Sequence, residues 1–149
     1  MILKQLAKHY RQQRGSDDGF TLIEVLIAIS ILSIGVLAVG MMQISSIKGN
    51  KTAFDISEAS FLAESELERL LSIPFGDVTD DNLDGSGGLD DNTSGTADGN
   101  TTSSDGKYTI LWNVANGFPE TNTQTIKVIV IWDYKGNSKS LSISVIKAS

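Results

Sequence analysis

The spacing of hydrophobic and polar positions changes several times along the chain. From Phe20 to Met42 the residues are apolar almost without interruption, and Glu24 is the single charged residue among them. Over residues 43–73 apolar and charged positions recur with a spacing near 3.6, which predicts an amphipathic continuation of the same helix. Pro74 cannot continue a helix, so the helix is expected to end near Ser72.

The amphipathic segment predicts one face directed at a core and one directed at solvent. Its apolar positions include Phe54, Ala59 and Phe61, which are expected on the core side. The acidic run of Glu64, Glu66 and Glu68 is expected to form a solvated face.

Alternation with a period of two appears after residue 107 and predicts strands. Three are expected, at Tyr108–Val114, Gln124–Trp132 and Ser140–Ile146. The sequence DYKGNS between the second and third has the Gly and Asn of a hairpin turn. We therefore expect a three-stranded antiparallel sheet, with Trp112 and Trp132 in its core.

These elements predict an α+β fold in which a long N-terminal helix packs on a small antiparallel sheet, because each then buries the apolar face of the other. The predicted organisation has five parts. They are a leader (1–19), an apolar helix (20–42), an amphipathic helix half (43–73), an Asp/Gly-rich loop (74–106) and the sheet of the head (107–149).

The apolar segment is long enough to cross a membrane. Its 23 residues make a helix of roughly 34 Å, against a hydrocarbon core of about 30 Å. Four basic residues precede it, which predicts a cytoplasmic N-terminus and an exported remainder. A cleaved secretory signal is the alternative, but such signals have a shorter apolar core and a small-residue cleavage site.

Composition excludes several kinds of chemistry. The chain has no cysteine, and its one histidine, His9, lies in the expected leader. Thiol nucleophiles, disulfides, Cys/His zinc sites and a Ser-His-Asp triad are therefore excluded from the head, and we do not expect an enzyme. The net charge of −6 argues against nucleic acid as a partner of the head, since such binding needs Lys and Arg to neutralise phosphates.

The segment GFTLIEVLIAISILSIGVLAVG, Gly19 to Gly40, resembles the N-terminus of type IV pilins and of the pseudopilins of type II secretion. The resemblance implies that prepilin peptidase cuts between Gly19 and Phe20 and that the amino group of Phe20 is then methylated. It also implies that the helix stays in the bacterial inner membrane until it packs with other pilins in a filament outside that membrane. The cut would leave 8 basic and 16 acidic residues, a net charge of −8.

Two further segments resemble one subgroup of this family. Residues 33–43 (SIGVLAVGMMQ) and 53–70 (AFDISEASFLAESELERL) are similar to those of PilV-type minor pilins, which implies a role in pilus assembly or modification. A minor pseudopilin of a type II secretion system shares much of this pattern and is the first alternative. The second is a membrane-anchored protein that presents a calcium-dependent adhesive or sensing head.

Glu24 is unusual because a carboxylate in hydrocarbon costs on the order of a few kcal/mol and is normally paired. After cleavage it would be the fifth residue of the chain, and the new charge nearby would be the α-ammonium of Phe20. In a stack of subunits the carboxylate of one can meet the ammonium of the next, which would set their register. Alternatively, Glu24 lies near enough to the cytoplasmic interface to stay solvated.

Residues 80–91, DDNLDGSGGLDD, fit the order of oxygen ligands in an EF-hand loop. The candidate calcium ligands are Asp80, Asn82, Asp84, Ser86 and Asp91. The alternative is an unliganded flexible loop, since Asp/Gly-rich sequence produces such a pattern readily and flanking helices of the usual kind are missing.

Overall fold

The computed structural model describes residues 19–81 and 84–149, so the leader before Gly19 lies outside the described residues, as does Asn82. The elements, in chain order, are helix α1 (Leu22–Ser72), a 3-10 helix η1 (Gly85–Asp90), and strands β1 (Gly99–Thr102), β2 (Tyr108–Asn116), β3 (Thr123–Tyr134) and β4 (Asn137–Ala148). The chain forms two compact units that divide between residues 47 and 48. We call residues 48–149 the head.

The first unit contains the apolar part of α1. Its aliphatic side chains are largely exposed, and α1 contains an 18-residue window of mean hydropathy 2.7, long and apolar enough to cross a membrane. The hydroxyls of Ser30 and Ser33 donate to the carbonyls of Leu26 and Ile29, at 2.7 Å each. Because the helix satisfies its own hydroxyl groups, these serines are compatible with a lipid environment.

The head is built on a four-stranded antiparallel sheet of order β1-β2-β3-β4. The sequence predicted three strands, and the additional one, β1, lies in the segment predicted to be loop. Its sequence GNTT has no apolar alternation, so only backbone pairing with β2 reveals it. Gly99 pairs with Trp112, and a Cβ at Gly99 would lie 2.1 Å from the indole ring, so glycine alone fits there.

One face of the sheet packs on α1 and contains the main core of the head. Ala59, Ala63 and Leu70 of α1 are buried against β2 and β3. The other members of this core are Val78, Tyr108, Ile110, Val114, Ile126, Val128, Val130 and Trp132, with Trp112 packed beside it. The predicted α+β fold, in which a long helix packs on an antiparallel sheet, is confirmed, as is the core position of both tryptophans.

Only part of the apolar set expected on the core side of α1 meets the sheet. Small residues, Ala59 and Ala63, lie against the sheet, whereas Phe54 and Phe61 are 66% and 68% exposed. The prediction that both phenylalanines face the core was wrong. The sheet already supplies the large rings of Tyr108 and Trp132, so close approach of the helix requires small side chains.

The expectation of a fully solvated acidic run was wrong for Glu66, which is buried. Its carboxylate accepts hydrogen bonds from Nε and Nη2 of Arg69, the shortest at 2.5 Å. The guanidinium of Arg69 in turn lies 5.3 Å from the ring centre of Trp112. Glu64 and Glu68, on the same segment, are exposed as expected.

The second face of the sheet is covered by the Asp/Gly-rich segment, which contains η1 and was predicted to be loop throughout. The buried amide of Asn113 donates to the carbonyls of Leu89 and Asp91, at 3.4 and 2.8 Å. The Asp98 carboxylate accepts the Val114 N–H at 2.7 Å. A segment with few apolar residues is thus held on the sheet by polar side chains and strand backbone.

The C-terminus of α1 is capped from β4. The helix ends at Ser72, as predicted, and the Lys147 ammonium donates to the carbonyls of Leu71, at 3.0 Å, and of Ile73. The last carbonyls of a helix lack intrahelical partners and form the negative end of its dipole. An ammonium there donates hydrogen bonds to these carbonyls and offsets their partial negative charge.

Substituting Lys147 by methionine is expected to lower the free energy of unfolding of the head by about 2 kcal/mol, because charged hydrogen bonds to otherwise unsatisfied carbonyls are lost. The measurement is urea unfolding of the mature chain in detergent, followed by the fluorescence of the two tryptophans, which both lie in the head. Lys139→Met is the control, because Lys139 is exposed on the same strand. Equal stability of the two variants would contradict the capping role.

Candidate functional site

The start of α1 contains the predicted processing residues. Gly19 and Phe20 are exposed and precede the helix, which begins at Leu22. A Cβ added at Gly19 would meet no atom within 4 Å. The described residues therefore place no steric demand for glycine at this position.

Thr21 caps the helix that follows. Its Oγ1 accepts the N–H of Glu24 at 3.3 Å, and its carbonyl accepts the N–H of Val25 at 3.2 Å. Thr21 and Glu24 thus occupy the N-cap and N3 positions of the Thr-x-x-Glu capping pattern. The sequence contained this signal, but the interpretation of Glu24 considered only its charge.

The N3 position places the charge of Glu24 at a favourable end of its own helix. A carboxylate in the first turn is favoured by the positive end of the helix dipole and by the free N–H groups there. Its side chain is exposed and forms no ion pair within residues 19–81 and 84–149. The predicted pairing with Phe20 of a second subunit remains a prediction, to be weighed against the capping role.

Comparison with known families identifies this region. Residues 14–40 match the family model of the prokaryotic N-terminal methylation motif. The chain carries the leader of type IV pilins and pseudopilins. The match includes Gly19, Phe20 and Glu24 and ends before the head. No curated protein and no solved structure matches the chain.

The pilin leader and the apolar helix indicate together that the chain is anchored in a membrane. Helix α1 begins three residues after Gly19, inside the matched region. The N-terminal methylation motif thus supports a processed, pilin-like or pseudopilin-like protein.

In the head, a polar cluster joins α1 to the start of β2. We call Asp55, Glu58, Lys107 and Tyr108 the anchor cluster. The Lys107 ammonium donates to Asp55 Oδ1 and to Tyr108 Oη, both at 2.7 Å, and lies 3.5 Å from Glu58 Oε2. Tyr108 Oη donates to Glu58 Oε2 at 2.8 Å. The partners lie about 50 positions apart along the chain, so the sequence contains no local signal for the cluster.

In the anchor cluster, the pKa values of Lys107 and Tyr108 are both raised. The hydrogen bond to Asp55 and then that to Tyr108 raise the pKa of Lys107 above its ordinary 10.5. Burial is the main reason that the pKa of Tyr108 lies above its ordinary 10.0. Both groups hold their protons more tightly in the folded head than in the unfolded chain.

Stability is therefore expected to be at its full value below pH 10 and to fall as the pH rises further, because the unfolded chain then releases protons that the folded head retains. The urea concentrations at the midpoint of unfolding, compared at pH 8 and pH 11, measure the loss of stability. Tyr108→Phe removes one of the two groups and is expected to reduce the difference between the midpoints. An undiminished difference in that variant would show that other groups cause the loss.

The predicted calcium ligands do not form a recognisable metal site within the described residues. Asp80 is 8% exposed; its Oδ2 accepts the Gly85 N–H at 2.9 Å, and its Oδ1 has no hydrogen-bond partner among residues 19–81 and 84–149. The Asp84 carboxylate lies against Gly88, where a Cβ would come within 1.9 Å of Oδ1.

The other three candidate ligands occupy different positions in the Asp/Gly-rich segment. Ser86 lies in η1, Asp91 follows it, and Asn82 is outside the described residues. No group of three or more His, Asp or Glu side chains suited to a metal occurs among residues 19–81 and 84–149. The five-ligand calcium site therefore stays a prediction.

Proposed function

We propose that this chain is a PilV-type minor pilin. In this proposal the helix is inserted in the bacterial inner membrane and prepilin peptidase cuts the chain between Gly19 and Phe20. The new terminus at Phe20 is methylated. The mature subunit then leaves the membrane and enters a type IV pilus, where it contributes to assembly or modification of the filament. The observation that carries processing and membrane insertion is the leader match over residues 14–40, and the PilV-type part rests on the similarity of residues 33–43 and 53–70.

The head supports an assembly role because α1 keeps an apolar surface turned away from its own core. Phe54 and Phe61 are seven positions apart, so they lie on the same side of the helix, and both are about two-thirds exposed. Exposed aromatic side chains at this spacing suit packing against a second helix. The proposed partners are thus other pilins, and the proposed role requires neither catalysis nor nucleic acid.

A minor pseudopilin of a type II secretion system is the second candidate, because the same leader observation favours it equally. Both candidates require the cut before Phe20, and they differ in the filament that the subunit enters. Detection of the chain in sheared surface pili, against its retention in a periplasmic pseudopilus, separates them.

The experiment that tests the shared part of the proposal is the intact mass and N-terminal sequence of the chain from membranes of cells with and without prepilin peptidase. The expected product begins at methylated Phe20 and depends on the peptidase. An intact Met1 terminus in both strains, or a cut after Met42, would reject the proposal. Either result would favour an anchored or secreted head.

A Gly19→Val chain is expected to remain uncut while its head folds normally, because the added side chain meets nothing in the structure. The readout is the cleaved fraction on an immunoblot, together with the tryptophan fluorescence of the head. Gly40→Ala is the matched control, since a Cβ there also has no neighbour within 4 Å. Normal cleavage of the valine variant would show that the peptidase does not read Gly19.

A further inference from the structure

Strand β4 lies at an edge of the sheet, with β3 on one side and no strand of the described residues on the other. It is 12 residues long and pairs with β3 in one continuous register, without a bulge. It contains no proline, and no charged residue separates Lys139 from Lys147. Proteins usually protect an open edge with a short strand, a bulge, a proline or closely spaced charges. The opposite edge, β1, is only four residues long. The sheet is therefore protected at β1 and open at β4.

The register identifies the backbone groups that β4 leaves open. The Ser149 N–H donates to the Asn122 carbonyl at 3.2 Å. Alternate residues of an antiparallel strand direct their backbone groups to the same neighbour, so the odd-numbered residues of β4 bond to β3. The even-numbered residues direct their N–H and C=O groups outward. We call these outward groups the free edge, and five of the residues that supply them are Ser138, Ser140, Ser142, Ser144 and Ile146.

Alternate side chains of β4 lie on opposite faces of the sheet, and both faces have open space beside them. Leu141, Ile143 and Val145 pack on the core that α1 shares with the sheet, but they stay half-buried. A groove of about 510 Å³ lies beside Leu141, and one of about 400 Å³ lies beside Ser144 and Ile146 on the face that η1 covers. A strand added to the free edge would cover the aliphatic side chains and place its own alternate side chains at the two grooves.

Charge restricts what can occupy the free edge. β4 contains two basic residues and no acidic one. Lys147 is engaged at the end of α1, whereas Lys139 is exposed and forms no ion pair in the described part of the chain. Asp55 lines the same groove as Lys139, but its charge is paired with Lys107. A second copy of β4 has no acid to place opposite Lys139. Charge complementarity therefore favours a strand of a different protein that carries one.

We propose that the free edge of β4 accepts an extended strand of a partner protein, antiparallel to β4, which enlarges the four-stranded sheet of the head. The added strand is apolar at alternate positions, polar at the positions between, and carries an acidic residue opposite Lys139. Backbone hydrogen bonds supply the affinity, and the alternate side chains supply the specificity. This surface is separate from the leader and from the exposed aromatic side of α1, so the inference goes beyond the proposed function.

The test uses the mature full-length chain in detergent micelles, labelled with nitrogen-15 at serine. The probe is a synthetic peptide of sequence Thr-Val-Thr-Val-Thr-Val-Thr-Glu-Thr. Aligned antiparallel to Ser138–Ile146, its valines lie beside Val145, Ile143 and Leu141, and its glutamate lies opposite Lys139. The readout is the exchange of serine amide protons with deuterium, followed by NMR.

The peptide is expected to slow exchange at Ser140, Ser142 and Ser144 about tenfold when nine-tenths of the chain is bound, because only unbound chains leave these N–H groups open. Ser57 of α1 is the internal reference and is expected not to change. A peptide with lysine in place of glutamate is expected to bind about fivefold more weakly, because it places like charges opposite each other at Lys139.

Two variants separate the backbone part of the proposal from the charge part. Ser142→Pro removes an outward N–H but no hydrogen bond to β3, so the head is expected to fold and the peptide to lose its protection of Ser140 and Ser144. Lys139→Glu leaves the backbone unchanged and is expected to reverse the preference, so that the lysine peptide binds about fivefold more tightly than the glutamate peptide. Lys135→Glu is the matched control, because Lys135 lies in the turn before β4, and it is expected to keep the preference of the parent chain.

Unchanged exchange at the free-edge serines in millimolar peptide would overturn the inference, as would equal affinities of the two peptides for the parent and Lys139→Glu chains. Protection that appears without peptide and grows with the concentration of the chain would identify a second copy as the occupant and refute the proposed partner. Protection at Ser57 instead of β4 would place the peptide on α1 and also refute it. None of these outcomes affects the proposed cut before Phe20, so the two proposals can fail separately.

Discussion

A Glu24→Val chain is expected to be cut by prepilin peptidase but to be almost absent from filaments. In the proposed assembly the carboxylate of Glu24 pairs with the α-ammonium of Phe20 in the neighbouring subunit, and loss of one member leaves the other charged and unpaired in an apolar interior. Such a loss costs about 3–5 kcal/mol, which is at least a hundredfold in incorporation. The measurement is the ratio of the chain in sheared filaments to the cleaved chain in membranes.

Glu24→Gln separates the two roles that the structure leaves to this residue. Glutamine can still act at the N3 position of the Thr21 capping pattern but carries no charge. If pairing between subunits is what matters, the glutamine chain is cut normally and fails to assemble, as the valine chain does. Glu24→Asp, which keeps the charge, is expected to assemble better than either. Normal assembly of the glutamine chain would show that assembly does not require the charge of Glu24.

Lys107→Met is expected to lower the free energy of unfolding of the head by about 3 kcal/mol, because removal of one partner leaves a buried charge uncompensated. Asp55 is 3% exposed and would lose the ammonium at 2.7 Å. Tyr108 would lose its hydrogen bond from the same ammonium. Urea unfolding of the mature chain in detergent at pH 7, followed by tryptophan fluorescence, measures the change.

The Lys127–Asp90 pair provides the control for this prediction. The Asp90 side chain is 87% exposed, so its charge remains solvated when Lys127 is changed to methionine. The expected loss there is below about 1 kcal/mol. Adding Asp55→Asn to Lys107→Met is expected to restore part of the lost stability, since it removes the unpaired charge. Equal losses in the two lysine variants would show that the anchor cluster does not hold α1 on the sheet.

Elements whose signal is local were predictable from the sequence. The helix ends at Ser72 because Pro74 follows it, and β2, β3 and β4 include the three predicted strands. The hairpin turn is Lys135-Gly136, with φ angles of 56° and 77°; the expected Gly lies in it, whereas Asn137 is the first residue of β4. In each case neighbouring residues along the chain contain the whole physical cause.

Features that depend on distant partners were not predictable. β1 exists because its backbone pairs with β2, and Glu66 is buried because Arg69 joins it beside Trp112. Within the candidate site, the sequence placed Gly19 and Phe20 before the helix, but the capping position of Glu24 was overlooked although its signal was local. The set of calcium ligands depends on folded loop geometry that the order of residues does not specify.

The sequence by itself determined the leader, the apolar segment and the alternating strands, because these follow from the order and polarity of adjacent residues. Tertiary structure alone decided which face of α1 meets the sheet and which acids are buried. Those outcomes depend on shape and charge contributed by residues tens of positions apart. Tyr108 and Trp132 require small side chains opposite them, and this requirement leaves Phe54 and Phe61 on the exposed side of the helix.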